Sequence, residues 1–439
     1  MTDAYASAYA ERLMSPREAA ALIPSGTRMA MALGVGQPPA ILKALAERAE
    51  AGAVEGISLY YLLSTAISGD TILKPHLTER IRPYSLFHGA IERALDKQGA
   101  AEGRQMVWFV PSSFQQAPRV MIDAGVDTLV ATVSPMDDEG YFSLGTNADY
   151  ALPVARQARR VILEVNPRMP RVFGDCRIHL SQVTALVEND VPLLEAGKAA
   201  QQPQDIAIGR IIAGLVEDGS TLQMGIGALP DAVCAALMDH ADLGIHTEML
   251  TPRLVELMQA GVINNARKSL HPGKTVFAFS MGSRATYDFL DENPALEAHP
   301  VDYVNDPAVI ARNDRMVSVN ATLQVDLFGA CCSEFLNGQQ YTAAGGQLDF
   351  VRGATAARDG KSVIACHSTA AKGKVSRIVP RLDGPVTTPR NDVHYIVTEH
   401  GWANLRGLTT DQRARALIGL ADPAFREDLT RQATEMGLL

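Results

Sequence analysis

Apolar residues along this chain gather in short runs of about four to six, each followed by glycine, proline or polar residues and then by a stretch with helical spacing. The runs that read as strands are 57–63, 106–110, Thr128–Val133, 161–165, Thr221–Met224, 243–247, 274–279, 316–319, 362–365 and Tyr395–Thr398. Helical spacing is read over 4–14, 91–97, 206–215 and 232–238. Ser15, with Glu18 three residues on, forms a capping box for a helix opened by Pro16. Strands that alternate with helices and long loops predict an α/β chain with mostly parallel sheets.

The stretch 219–250, GSTLQMGIGALPDAVCAALMDHADLGIHTEML, carries strand, turn, helix and strand in succession. Gly225-Ile226-Gly227 forms the turn, and Pro230 sits in the first helical turn, where a missing N–H costs little. Two glycines at such a turn let a ligand reach backbone N–H groups at the positive end of a helix dipole. Glu248 ends the next strand, which places a carboxylate beside the turn, where open α/β sheets bind ligands. The segment 26–49, GTRMAMALGVGQPPAILKALAERA, repeats the pattern, with Gly34 and Gly36 each 191 residues before Gly225 and Gly227. Two related, duplicated α/β halves with the active site at their interface are expected. The polar stretch VPLLEAGKAAQQPQD marks the boundary. It gives an N-terminal α/β domain over 1–190, a linker over 191–205 and a C-terminal α/β domain over 206–439 that carries Glu248.

Composition narrows the class. At 439 residues the chain exceeds one typical core. A net charge of −9 without a Lys/Arg-rich run excludes a nucleic-acid surface. The five cysteines lack CxxC spacing, and the acidic loop 134–145, SPMDDEGYFSLG, reads as solvated, so no metal site is expected. No window approaches the roughly 18 apolar residues of a membrane span, and no signal peptide is read at the start. The chain reads as a cytoplasmic enzyme, and its size suits a homo-oligomer.

Three further loops carry candidate chemistry. In 332–354, Gly345-Gly346 offers backbone amides to an oxyanion. In 367–380, HSTAAKGKVSRIVP, Lys372 and Lys374 are candidates for phosphate contact, beside the alternative of solvated lysines. In 398–407, TEHGWANLRG, Glu399 and His400 follow a strand. His246 shares a strand face with Glu248 and reads as a hydrogen-bonded core histidine or as a tuner of that acid; Glu334 and Glu399 are rival carboxylates. The Gly-Ile-Gly turn with Glu248 about twenty residues on also fits a dinucleotide fold, although Pro230 replaces its third glycine, and an NAD-dependent oxidoreductase stands as one reading.

The strings SPMDDEGYFSLG, DGSTLQMGIGALPDAV, LGIHTEML, NDP, SVNATLQVD, GGQLDFVRGA, SRIVP and TEHGWANLRG, in this order over nearly the whole chain, resemble the acetyl-CoA hydrolase/transferase group of class I CoA-transferases, and within it 4-hydroxybutyrate CoA-transferase-like proteins. The resemblance implies a ping-pong CoA transfer in which Glu248 is the nucleophile and forms a glutamyl-CoA thioester. It places Gly225, Ile226 and Gly227 with Gly345 and Gly346 as oxyanion and CoA-binding groups, and Asn320, Glu399 and Lys374 in support. It implies no permanently bound cofactor, with coenzyme A and acyl-CoA (acetyl- or succinyl-CoA) as substrates. The acceptor it implies is a small carboxylic acid such as 4-hydroxybutyrate, butyrate, acetate, succinate or itaconate. An acyl-CoA hydrolase on the same residues is the alternative. A dicarboxylate requires a second pocket, expected near 34–39, Thr65 or Arg104. Relatives commonly carry GxGGQ where this chain has Ala343, which narrows the loop if Ala343 or Ala344 needs a positive φ.

Overall fold

The computed structural model describes residues 3–197 and 200–439, so Lys198 and Ala199 of the expected linker lie outside it. The chain is α/β with mostly parallel sheets, as its alternating pattern implies. It divides into two compact units, Met1–Ala196 with Val276–Tyr303 and Gly197–Thr275 with Val304–Leu439. The first unit thus takes 276–303 from the half of the sequence assigned to the second domain. Val276, Phe277 and Ala278 are fully buried there, and the Ala278 carbonyl accepts from the amides of Ala148 and Asp149.

The first unit is built on β1 (Arg28–Met31), β2 (Ile57–Tyr61), β3 (Ile81–Ser85), β4 (Trp108–Phe109), β5 (Thr128–Val133), β6 (Arg160–Val165) and β7 (Ala185–Glu188). All pair in parallel, in the order β7-β6-β5-β1-β2-β3-β4. Strand alternation sends Met29, Met31, Ile57, Leu59, Tyr61 and Ile81 into one core with Ile41, Leu42 and Leu45 of helix α1 (Pro39–Glu50). Each such side chain contributes about 1.5–3 kcal/mol by leaving water.

The second unit opens with α2 (Pro203–Ala213), three residues earlier than the helical spacing suggests. Pro203 supplies a preset φ at the first helical position, and Asp205 accepts from the Gln202 amide at 2.7 Å, so the polar end of the expected linker is the start of a helix. There follow β8 (Thr221–Met224), α3 (Ala228–Ala236), β9 (Gly244–Leu250), β10 (Met316–Ala321), α4 (Gln347–Ala356), β11 (Lys361–Ala365), β12 (Tyr395–Thr398) and β13 (Gly401–Asn404). The order is β13-β12-β11-β10-β8-β9. Every one of these pairs given a register is parallel except β12–β13, a hairpin whose two-residue turn is Glu399-His400. The sequence TEHGWANL, read as a loop that follows a strand, therefore makes a tight reversal into one more strand, with Gly401 at a φ of 135°. In both units the strand before the Gly-x-Gly turn lies between the next strand and a later one, β1 between β2 and β5, β8 between β9 and β10. That is the topological switch point of each sheet. Among the described residues, no helix is long and apolar enough to cross a membrane.

Candidate active site

The carboxyl edge of the second sheet gathers most of the residues singled out in the sequence. Strand β9 continues to Leu250, so Glu248 lies within it and is partly exposed. The parallel register pairs Thr221 with Gly244 and Leu222 with Ile245, and carried forward it sets Glu248 level with Gly225. Gly225 donates its amide to the Val319 carbonyl at 2.9 Å. The turn then opens to solvent: Ile226 is 51% exposed, and Gly227 has a φ of 113°, a left-handed value that excludes most side chains. Among the described residues, no hydrogen bond engages the amides of Ile226 or Gly227. They precede α3, whose first amides carry the positive end of the helix dipole.

Two other segments meet the Glu248 carboxylate. Asn305, fully buried, donates its Nδ2 to Glu248 Oε2 at 2.7 Å. Gly346 packs so closely that a Cβ at its position would collide with Glu248 Oε2 and Asn305 Nδ2. Gly346 caps α4, so the carboxylate stands against the start of a second helix. In the turn that leads into α4 the left-handed backbone falls on Gly345, at a φ of 55°. Neither Ala343 nor Ala344 has a positive φ, so Ala343 strains nothing.

Asn305 went unassigned from the sequence, although it lies in the quoted string NDP. Asp306 caps the helix Pro307–Ile310, accepting from the Ala308 amide at 2.8 Å, and Pro307 opens it. Those two residues account for the motif as a helix start and leave Asn305 without an evident task. The same neighbourhood settles His246: buried, it donates Nε2 to the Val304 carbonyl at 2.8 Å and so pins the peptide that presents Asn305.

The remaining candidates line the same edge without joining this cluster. Asn320, at the end of β10, exchanges two amide hydrogen bonds with Gln223, at 3.1 and 3.2 Å. Glu399 stands at the end of β12, four strands from β9, where it accepts from the Ser368 amide at 2.8 Å and hydroxyl at 2.7 Å. Glu334 accepts from Thr387 at 3.0 Å and Gln340 at 3.3 Å, which gives it a loop-holding part. Lys372 and Lys374 are exposed at the tip of a hairpin that follows β11. All five cysteines are buried, and burial pushes the thiols of Cys176, Cys234 and Cys366 up to about 12. A thiolate nucleophile therefore finds no support, and Glu248 is the group with both partners and access.

The matching turn of the first unit is plugged. There the buried Glu164 accepts from the amides of Ala40 and Ile41, at 2.9 and 3.1 Å, in the first turn of α1. The chain's own carboxylate takes the place that an anion would occupy, while the equivalent turn of the second unit is open. In the acidic loop, Asp137 caps its own turn through the amides of Glu139 and Tyr141 and pairs with Arg171 at 3.2 Å. Arg104, expected near a dicarboxylate pocket, is taken up by Glu102, Thr78 and the Pro75 carbonyl.

The acetyl-CoA hydrolase/transferase N-terminal domain matches residues 2–195, and its C-terminal domain matches residues 282–433. Succinyl-CoA:cyclohexane-1-carboxylate CoA transferase of Geobacter metallireducens is 43% identical over 98% of this chain and 97% of its own length. The chain belongs to the acetyl-CoA hydrolase/transferase family. It is an enzyme of the class I CoA-transferase type. The 4-hydroxybutyrate coenzyme A transferase of Clostridium kluyveri is also 43% identical, over 97% of each chain. Among solved structures, RipA from Yersinia pestis superposes with a TM-score of 0.96 at 54% identity, over 99% of both chains. Family membership makes the Gly-Ile-Gly turn part of a CoA-transferase rather than of a dinucleotide fold.

Proposed function

We propose that this enzyme moves CoA from an acyl-CoA, acetyl- or succinyl-CoA, to a small carboxylic acid through a covalent intermediate on Glu248. The observation that carries the reading is the Glu248 carboxylate held by Asn305 against Gly346, level with an open Gly-x-Gly turn. In the first step the ionised carboxylate attacks the thioester carbonyl, and the C–S bond breaks to give an acyl-glutamyl anhydride and CoA thiolate. The thiolate then attacks the glutamyl carbonyl, releasing the first acid as its carboxylate and leaving a glutamyl-CoA thioester. A second carboxylate attacks that thioester and the same two steps run in reverse, restoring Glu248.

Each attack builds an oxyanion that needs donors already in place. The amides of Ile226 and Gly227 on one side and the Gly345-Gly346 peptide on the other are assigned this task, each worth roughly 3 kcal/mol by analogy with other oxyanion holes. Asn305 fixes the rotamer of the nucleophile, and Gly346 leaves room for it. Asn320 and Glu399 border the path of the CoA arm along the same edge. No resident cofactor enters any step; coenzyme A is a substrate.

The two relatives named above act on cyclohexane-1-carboxylate and 4-hydroxybutyrate. The acceptor proposed here is of the same class, a small carboxylic acid such as 4-hydroxybutyrate, butyrate or itaconate. The test is a panel: enzyme with acetyl- or succinyl-CoA and each acid in turn, read by chromatography for the new acyl-CoA. Acceptor-dependent formation of a new thioester supports the transferase. Release of CoA at the same rate with and without an acceptor identifies a hydrolase and removes the transfer reading.

A further inference from the structure

In a sheet whose strands all run parallel, both faces are ordinarily covered, and the strands read as unbroken apolar runs. Strand β5 obeys this with every residue buried, and β6 is buried throughout after Arg160. Strands β2 and β3 do not. Ile57, Leu59, Tyr61 and Ile81 lie in the core against α1, whereas Ser58, Tyr60 and Tyr84 between them are half-buried and Arg82 is exposed. That alternation belongs to a sheet with one wet face, and it is confined to the β2-β3-β4 side.

The strand register orders what this face carries. Arg28, Ser58 and Arg82 stand side by side in one row, and Tyr60, Tyr84 and Trp108 in the next. The Tyr60 and Tyr84 rings stack at 4.7 Å with 7° between their planes, and the Trp108 ring follows at 6.2 Å. The Arg82 guanidinium lies 4.7 Å from the centre of the Trp108 ring. Among the described residues, the hydroxyls of Tyr60 and Tyr84, the indole N–H and the Arg82 guanidinium make no hydrogen bond, and Arg28 makes one, to the Ala124 carbonyl. Neither arginine has a carboxylate of the described residues within ion-pair distance. Three stacked aromatic rings thus carry a set of polar groups that no other part of the described chain takes up.

The kind of partner follows from shape and charge. A sheet face is a plane of side chains rather than a cleft, which disfavours a small molecule. A polyanion is repelled by the rest of a chain whose net charge is −9. Tyr, Trp and Arg are the residues that carry most binding energy where proteins meet, and they are gathered here. The arginines call for carboxylates, and the same unit presents them nearby: Glu55 and Glu79 are exposed at the amino ends of β2 and β3. A surface that holds both signs side by side is self-complementary under a two-fold axis, since each copy then offers acids to the arginines of the other. We propose that this face of β2, β3 and β4 is the docking surface for a second copy of the chain. Tyr84 and Trp108 form the centre of the contact, and Arg28 and Arg82 meet carboxylates of the other copy. The assignment is independent of the acyl-transfer chemistry.

The test is sedimentation velocity of the full chain over a dilution series, for the wild type, Arg82→Glu, Arg82→Lys and Trp108→Ala. The wild type is expected to self-associate. Arg82→Glu and Trp108→Ala are each expected to raise the dissociation constant roughly 30-fold or more, the loss of one central interface residue. Arg82→Lys keeps the charge and is expected to stay within about tenfold of the wild type, which separates lost pairing from a disturbed strand. A second readout locates the contact. Trp108 and Trp402 are the two tryptophans of the chain, so in a Trp402→Phe background the emission reports Trp108 alone. It is expected to shift to the red as dilution separates the copies. A wild type that is monomeric at every concentration overturns the assignment. So does an oligomer that Arg82→Glu and Trp108→Ala leave as tight as before, or one that dissociates with no change in Trp108 emission.

Discussion

Replacing Gly346 with alanine isolates the contact that shapes the nucleophile. Gly346 has φ −93° and ψ 10°, values that alanine adopts freely, so the backbone does not require glycine. The methyl group is what the site excludes, because its carbon would collide with Glu248 Oε2 and Asn305 Nδ2. Relief of that overlap displaces the carboxylate by roughly 1 Å, and a displacement of that size at a reacting group costs about 100-fold in rate. Overpacking adds about 1–3 kcal/mol of destabilisation, which lowers Tm by about 2–4 °C per kcal/mol in units of this size. The assay is the initial rate of acyl exchange beside a thermal melt and a CoA-binding titration. The expected result is a folded protein that binds CoA and exchanges it about 100-fold more slowly. A folded Gly346→Ala enzyme within roughly threefold of wild-type kcat refutes the argument, since a carboxylate crowded by that methyl group is then not the one that reacts.

Asn305→Ala removes a 2.7 Å bond to a carboxylate, a class of interaction worth about 1.5–3 kcal/mol, and is expected to lower kcat/KM by about 10- to 100-fold; Asn305→Asp is expected to be worse, because it sets a like charge against Glu248, and equal rates for both variants count against positioning. Asp149, fully buried in the first unit, is pushed up to about 7 by desolvation. Because the native state then keeps a proton that the unfolded chain releases above about pH 4, stability falls as pH rises from about 4 to 7, by a few kcal/mol at most. Denaturant melts across that range are expected to show the slope in the wild type and a flatter line in Asp149→Asn; parallel lines contradict the assignment to Asp149.

The strands and the Gly-x-Gly turns were legible because buried parallel strands write themselves as unbroken apolar runs, as in Thr128–Val133 and Tyr395–Thr398, whose bounds the structure keeps. Glu248 was legible for a related reason: it is an acid close behind such a run, where the pattern leaves only a site or an ion pair. Asn305 was hidden because its contact spans 57 residues, and nothing local distinguishes it from a loop asparagine. The Glu399-His400 reversal was missed since two polar residues between apolar stretches serve a hairpin and a crossover equally well. The assignment of 276–303 to the first unit has the same origin: its strand is as apolar as its neighbours, and which compact unit a segment joins is decided by tertiary packing that periodicity does not encode. Glu164 illustrates the limit from the other side, because the repeat shows two anion-binding turns while only the structure shows one of them already filled.

Chemical trapping tests the central claim most directly. The enzyme is mixed with acetyl-CoA or succinyl-CoA, reduced with borohydride, digested and mapped by mass spectrometry. The account predicts reduction of the Glu248 side chain to the alcohol, only when acyl-CoA is present. Unmodified Glu248 under conditions in which the enzyme binds CoA and turns over contradicts it, and the nucleophile must then be sought elsewhere.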